Sequence, residues 1–132
     1  MTDLYDTVKT ELKNYLEKNS EYKPKVKSLP TGEDFPKVVL EDISDIETGS
    51  DFGKINAFSS VVYEINIYAK GSRTASERTI AREIKDHVTV VMRDILGMKR
   101  IYCEPTPNVD TNIYRYTMRY QVLRNDRRNK FI

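Results

Sequence analysis

Residues 61–70, VVYEINIYAK, decide the fold of this 132-residue chain. Apolar and polar side chains alternate along this run, which is rich in β-branched and aromatic residues, as in a half-buried strand. We therefore predict a strand that ends at Gly71-Ser72. Its core face is formed by Val61, Tyr63, Ile65, Ile67 and Ala69, and its outer face includes Glu64, Asn66 and Lys70.

The same alternation recurs in residues 113–123, near the end of the chain. One face carries Tyr114, Tyr116, Met118, Tyr120 and Val122, and the other carries Arg115, Thr117, Arg119 and Gln121. This pattern predicts an antiparallel partner strand in a sheet with one exposed face. Shorter strands are predicted from Val38 toward Ile46 and over residues 100–104, with a loop over residues 105–112.

Two helices are predicted from apolar residues that recur every three or four positions. The first contains Leu4, Val8, Leu12 and Leu16 and ends near Asn19 and Ser20. The second begins at Thr74-Ala75-Ser76-Glu77, a capping-box pattern, and ends at Gly97, which suits a left-handed cap. Its apolar stripe is Ile80, Ile84, Val88, Val91 and Ile95.

The remaining segments are predicted to lack regular structure. Residues 21–36 contain three prolines, residues 47–60 form a polar loop with Gly49 and Gly53, and residues 124–132 form a basic tail. We therefore expect one α+β domain over residues 1–132, with two helices packed on an antiparallel sheet. The expected order is α-β-β-α-β-β.

Composition narrows the class of protein. Charged residues make up 32% of the chain, but the net charge is only +2, so there is no global attraction to nucleic acid or membrane. One cysteine permits no internal disulfide, which fits a reducing compartment. No apolar signal core follows the N-terminus, and no run approaches the roughly 20 apolar residues of a membrane span, so we expect a soluble protein.

Residues with catalytic or metal-binding chemistry are scattered. His87 is the only histidine and has no second ligand at metal spacing, and Cys103 has no base predicted nearby. Residues 49–54, GSDFGK, fail the phosphate-loop pattern because only three residues separate the glycines and Ile55 follows Lys54. We predict no enzyme activity, no cofactor and no metal site, and interpret His87 and Cys103 as boundary and packing residues.

Local charge points to contacts with other macromolecules. An acidic stretch contains Glu41, Asp42, Asp45, Glu47 and Asp51, whereas basic residues occupy one strand face (Arg115, Arg119) and the tail (Arg124, Arg127, Arg128, Lys130). Arginines near tyrosines are compatible with binding of single-stranded nucleic acid. In residues 113–123, however, the tyrosines and arginines alternate onto opposite faces. We therefore favour core tyrosines and arginines that contact other subunits.

Four segments together resemble small tail-completion proteins of long-tailed bacteriophages. They are residues 63–70 (YEINIYAK), residues 92–97 (MRDILG), residues 105–108 (PTPN) and residues 113–120 (IYRYTMRY). The resemblance extends over about residues 60–123, whereas the first 60 residues match only in layout.

The resemblance implies a tail terminator, or tail-to-head joining subunit, without cofactor or catalytic residues. Such subunits form hexameric rings that cap the tail tube and receive the head connector, while DNA passes through without specific binding. The implied location is the head-proximal end of the virion tail, after assembly in the host cytoplasm, with no membrane partner. A subunit that is monomeric before it reaches the tube fits this role.

Candidate interface residues combine the acidic stretch, the basic face and the chain end: Asp45, Glu47, Asp51, Phe52, Arg115, Arg119, Arg127, Arg128 and Phe131. The acidic stretch is expected either to meet the basic strand or tail of the next subunit or to line the lumen. Charge reversal at Asp45 and Glu47 is then expected to impair ring formation. Two alternatives stay open, namely another neck or head-completion protein and a small nucleic-acid-binding module.

Overall fold

A computed structural model describes residues 4–50, 57–71, 75–107, 112–125 and 130–131. In these residues the order is α-β-β-β-α-β-β-β, so the α+β class is confirmed and the predicted order lacks two short strands. The elements are α1 (Leu4–Asn19), β1 (Lys25–Lys27), β2 (Lys37–Ser50), β3 (Ala57–Lys70), α2 (Glu77–Thr89), a π-helical segment (Val90–Ile95), β4 (Lys99–Thr106), β5 (Ile113–Asn125) and β6 (Lys130–Phe131).

The described strands form one sheet in the order β1-β2-β3-β5-β4, with β6 also paired to β5. All pairings are antiparallel except that of β1 with β2, which is parallel. The expectation of a wholly antiparallel sheet was therefore wrong at one edge. The segment 21–36, predicted as loop, supplies β1, a three-residue strand that is too short to show a periodic pattern.

Both helices pack on one face of the sheet and enclose the core. The predicted apolar faces of β3 and β5 lie there, fully buried along β3 and buried in β5 from Met118 to Val122. Helix α1 contributes Val8, Leu12 and Leu16, and α2 with the π-helical segment contributes Ile80, Ile84, Val88 and Val91. The predicted stripes are confirmed except at Leu4, which is half-buried and outside the core cluster, and at Ile95, which is 50% exposed.

The second helix begins differently from its prediction, contains a π-helical segment, and ends at the predicted cap. Ser76 is the N-cap, since its side chain accepts a hydrogen bond from the Thr79 backbone N–H at 3.2 Å, and Thr74 lies outside the described residues. The helix widens into a π-helical turn at Val90, where the Leu96 N–H donates to the Val91 carbonyl. Gly97 has a φ of +71°, as the predicted left-handed cap requires.

Two segments predicted to be irregular contain strand residues. In the predicted loop over residues 47–60, β2 continues to Ser50 and β3 starts at Ala57, and residues 51–56 lie outside the described residues. In the predicted tail over residues 124–132, β5 runs to Asn125 and β6 pairs back onto it. Long-range strand pairing overrides local composition in both segments.

Candidate functional site

The face of the sheet away from the helices carries a polar network, which we call the open-face network. It joins β3 and β5 through three directly opposed pairs: Glu64 with Arg119, Asn66 with Thr117, and Tyr68 with Arg115. Directly opposed side chains on antiparallel strands are close enough to bond to each other. The alternation that buries one face of β3 therefore brings this polar set together on the other face.

Asn66 is the centre of the network and is only 4% exposed. Its Oδ1 accepts hydrogen bonds from Arg115 Nε at 3.0 Å and from Thr117 Oγ1 at 2.7 Å. Its Nδ2 donates to Glu64 Oε1 at 2.9 Å, and Glu64 Oε2 accepts from Arg119 Nε at 2.8 Å. In the described residues no buried side-chain nitrogen or oxygen lacks a hydrogen-bond partner, so this buried polar set is fully satisfied.

Two tyrosines lie beside the arginines of this face. The Arg115 guanidinium lies 5.4 Å from the Tyr68 ring centroid, and that of Arg119 lies 5.1 Å from the Tyr102 ring centroid. Such contacts stabilise by about 0.5–1 kcal/mol each at exposed sites. Tyr68 is not among the tyrosines of residues 113–123 that were weighed against the arginines, but the alternation in VVYEINIYAK places it on the face of Glu64.

The network also fixes the ionisation of its carboxylate. Burial of Glu64 acts to raise its pKa, but hydrogen bonds from Asn66 and Arg119 and the charges of Arg119 and Arg115 outweigh it. The pKa therefore lies below its ordinary value. Burial raises the pKa of Tyr68. Glu64 thus stays charged near neutral pH and serves as a hydrogen-bond acceptor, which suits a structural role better than proton transfer.

Arg115 and Arg119, predicted as contact residues, are thus engaged within their own chain. The Arg119 side chain is nevertheless 43% exposed. It therefore has accessible surface for a partner, although its Nε is committed to Glu64.

The far end of β2 and β5 holds the other described candidates. Arg124 Nη2 lies 2.8 Å from Asp45 Oδ2, an ion pair across β3, and Glu47 is exposed in the row of Ser59 and Arg124. Asp45 therefore has its basic partner within the same chain. Asp51, Phe52, Arg127 and Arg128 lie outside the described residues.

Apolar side chains are exposed at this same end. Ile46 and Leu123 flank Ser60 in one cross-strand row of the open face and are 62% and 45% exposed. Ile43, at a bulge of β2, is 44% exposed. We call this set, Ile43, Ile46 and Leu123, the apolar rim. The predicted strand contains Ile43 and Ile46, but their exposure was not predicted.

Phe131, predicted as a contact residue, packs on the core. Its ring lies edge-on to that of buried Tyr63, with centroids 6.2 Å apart. Such an edge-to-face pair contributes about 0.5–1.5 kcal/mol beyond the area it buries. This packing anchors β6 against β5.

His87 and Cys103 each contact residues that hold the fold together. His87 Nε2 lies 2.8 Å from Glu83 Oε1, and Glu83 also accepts a hydrogen bond from the Ser20 hydroxyl at the end of α1. Cys103 is partly buried against the core, as predicted for a packing residue. No group of three or more histidine, cysteine, aspartate or glutamate residues within the described ranges is arranged to hold a metal ion.

A groove of about 430 Å³ lies between α1 and β1. Its charged lining is Lys13, Glu17, Lys23, Lys25 and Lys27. Lys27 hydrogen-bonds Asp34 at 2.5 Å, and this bond holds the pKa of the Asp34 carboxyl below its usual value. The sequence gives no signal for this groove, because its lysines come from two elements that meet only in the folded chain.

Comparisons with known proteins add no identification. A scan of family models and a sequence search of curated proteins both gave no match. No helix in the described part of the chain is long and apolar enough to cross a membrane.

Proposed function

We propose that this chain is a structural subunit of a long-tailed phage virion, a tail terminator that forms a ring on the tail tube and joins it to the head connector. The single observation that carries the assembly role is the apolar rim beside an acidic strand. Ile43, Ile46 and Leu123 are exposed there next to Asp42 and Glu47. Exposed apolar groups rimmed by charge are typical of protein contact sites.

The phage assignment rests on the sequence resemblance over residues 60–123. The two-helix α+β fold is compatible with it, and the folded core is of the kind a rigid ring subunit needs. Ring formation, the tail tube and the head connector as partners, and virion localisation are parts of the same proposal.

The polar residues of the open face support an assembly subunit over an enzyme. Glu64, Asn66, Thr117 and both arginines bond to one another rather than converge on a cavity. A catalytic group needs a reacting atom within reach of its acid, base or nucleophile. The described residues offer no such arrangement on this face.

The same contacts are evidence against the alternative that this chain is a small nucleic-acid-binding module. Arg115 and Arg119 each donate through Nε to a partner in the chain and lie against a tyrosine. Binding through them would compete with these contacts, whereas phosphate-binding arginines are ordinarily available to the ligand. Binding of short single-stranded DNA at low salt that weakens steeply with added salt would revive this alternative.

Fractionation of an infected lysate tests the proposal. Tails and DNA-filled heads are separated, and the tagged protein is located by immunoblot and by gold labelling in the electron microscope. We expect it on free tails and at the head-proximal end of virions. Its presence on tailless DNA-filled heads would instead identify a head-completion protein, and its absence from both would overturn the virion assignment.

A variant sharpens that experiment. Asp45→Lys would disrupt the subunit's own pair with Arg124, so Glu47→Lys is the cleaner charge reversal. We expect Glu47→Lys to fold normally and to lower the yield of joined particles. Lys18→Glu is the control. It reverses the charge of an exposed residue on α1, outside β2, and is expected to leave the yield unchanged.

A further inference from the structure

The groove between α1 and β1 has no role in the proposed function. Its volume of about 430 Å³ lies within the usual range of ligand clefts, roughly 300–1,000 Å³. Lys13 and Glu17 of α1 form one wall, and the consecutive residues 23–27, which include all of β1, form the other. A wall of consecutive residues presents a strand backbone to the groove as well as side chains.

Strand β1 has one unpaired edge among the described strands. It is the first strand of the sheet and pairs only with β2, in parallel. The Lys25 N–H donates to the Pro36 carbonyl at 3.3 Å, so the backbone groups of Lys25 face β2. Successive residues of a strand direct these groups to opposite edges, so the N–H and C=O of Val26 point outward. Val26 also lines the groove, so a chain lying there is beside these groups.

Two lysines of the groove are bonded within the chain. The Lys23 Nζ donates to the Glu17 carbonyl in the last turn of α1 at 2.7 Å, a favourable contact at the C-terminus of a helix. The Lys27 Nζ donates to Asp34 Oδ1 at 2.5 Å and to the Thr31 carbonyl at 3.1 Å. These bonds tie residues 23 and 27, at the two ends of the β1 wall, to neighbouring segments.

The other two lysines are available to a ligand. Lys13 is exposed on α1, and its side chain is bonded to no other residue that the structure describes. The Lys25 side chain is 71% exposed and lies 4.0 Å from Asp34, which makes a weak ion pair in water. Glu17 is the one carboxylate among the residues that line the groove. The groove is therefore positively charged and suits an anionic group.

An extended peptide matches this groove better than a phosphate or a nucleic acid does. The outward C=O of Val26 needs a donor, and a peptide N–H supplies one. The Glu17 carboxylate repels a dense polyanion. Lys25 and Lys27 lie on one side of β1 and Val26 on the other, so an added strand places alternate side chains beside the lysines.

We propose that this groove binds an extended acidic segment of another protein, which adds to the sheet as a strand beside β1. The backbone of that segment bonds to Val26, and its carboxylates at alternate positions lie beside Lys25, with Lys13 adding positive charge from the other wall. This inference goes beyond the proposed function, because it does not require the chain to be part of a phage tail.

A second copy of this chain is a less suitable occupant. Its acidic residues in the range 41–47 already belong to β2, which pairs with β3. Their outer edge is on the same side of the sheet as β1, which pairs with residues 37–39 of β2. Two copies would therefore meet through this one side and form a closed dimer. A free segment of a partner has no such constraint.

Binding of a labelled peptide tests the proposal. The probe is a short fluorescent peptide of alternating glutamate and valine, and anisotropy measures its affinity for the full chain at low ionic strength. We expect saturable binding, weakened about tenfold in the double variant Lys13→Gln, Lys25→Gln. Lys18→Gln with Lys99→Gln is the matched control, because both residues are exposed outside the groove and the loss of charge is equal. Equal weakening in the two variants would overturn the site.

Hydrogen exchange of single amides, measured by NMR, tests the strand addition. The Val26 N–H should exchange about tenfold more slowly with the peptide bound, whereas the Lys25 N–H already has a partner and should change less. A peptide with the same side chains and N-methylated amides keeps its charge and lacks backbone donors. It should bind about tenfold more weakly. Unchanged exchange at Val26, or equal affinity of the methylated peptide, overturns the strand addition.

Competition and mass measurements separate the other occupants. Displacement of the peptide by an equal concentration of short single-stranded DNA would indicate a general anion site and overturn the proposal. A dimer in sedimentation velocity that Lys13→Gln with Lys25→Gln abolishes would identify a second copy as the occupant, with the same consequence. We expect neither result. Circular dichroism verifies that each variant is folded.

Discussion

The two faces of β3 bury adjacent residues in different ways, an apolar side chain on one face and a hydrogen-bonded polar side chain on the other. Ile65 points into the core and is fully buried, while Asn66 points to the open face and is 4% exposed. Ile65 is stabilised by removal of apolar surface from water, whereas Asn66 is tolerated only because its hydrogen bonds replace those to water. One strand thus shows that burial alone does not identify a core residue.

Truncation of the core face should have the largest effect. Ile65→Ala removes buried methyl groups and leaves a cavity, so we expect a loss of about 3 kcal/mol in the free energy of unfolding. Urea denaturation followed by circular dichroism measures it.

Ile46→Ala is the matched control, because it makes the same truncation at a strand residue that is 62% exposed. We expect its loss to stay below about 1 kcal/mol. Equal losses at the two positions would contradict the assignment of Ile65 to the core.

Truncation of the open face should come second. Asn66→Ala removes the acceptor of Arg115 and Thr117, and we expect a loss of about 2 kcal/mol because buried polar groups are left unpaired. Because the two side chains share a bond, Asn66→Ala with Thr117→Val should cost less than the sum of the single changes. Strict additivity in this double-mutant cycle would mean that the bond has no energetic role.

Much of the sheet face that the helices cover was predictable from the sequence. The period-two runs in residues 61–70 and 113–123 and the helical stripes identified the buried face, since burial selects apolar residues at fixed spacing. Ser76, rather than Thr74, is the N-cap, and both residue types suit that position, so the sequence pattern alone does not choose between them.

The open face and the edges were harder to predict because they depend on register. Glu64 and Arg119 are far apart in sequence, and only the pairing of β3 with β5 brings them together. The strand predicted from Val38 toward Ile46 was confirmed, but residues 47–50 have low intrinsic strand preference and were predicted as loop, whereas cross-strand pairing extends β2 to Ser50. The β1 and β6 strands are too short to leave any periodic signal.

The smallest expected effect is a pH dependence of stability that the open face of β3 has and the core face lacks. The pKa of Glu64 is lowered in the folded chain, so its contribution to stability is present above the unfolded pKa, about 4.3 for glutamate. That contribution is lost as the pH falls through the folded value. Glu64→Gln lacks this ionisation. The difference in unfolding free energy between the original chain and Glu64→Gln should therefore be largest near pH 7 and shrink toward pH 3.

A second carboxylate with a lowered pKa does not obscure this difference. The pKa of Asp34 is also lowered, by its hydrogen bond from Lys27, and Asp34 is present in both proteins, so its contribution cancels. Ile65→Ala, by contrast, changes no ionisable group, so its loss should stay constant from pH 7 to pH 4. A pH-independent cost of Glu64→Gln would mean that the open-face network holds Glu64 by packing rather than by its charge.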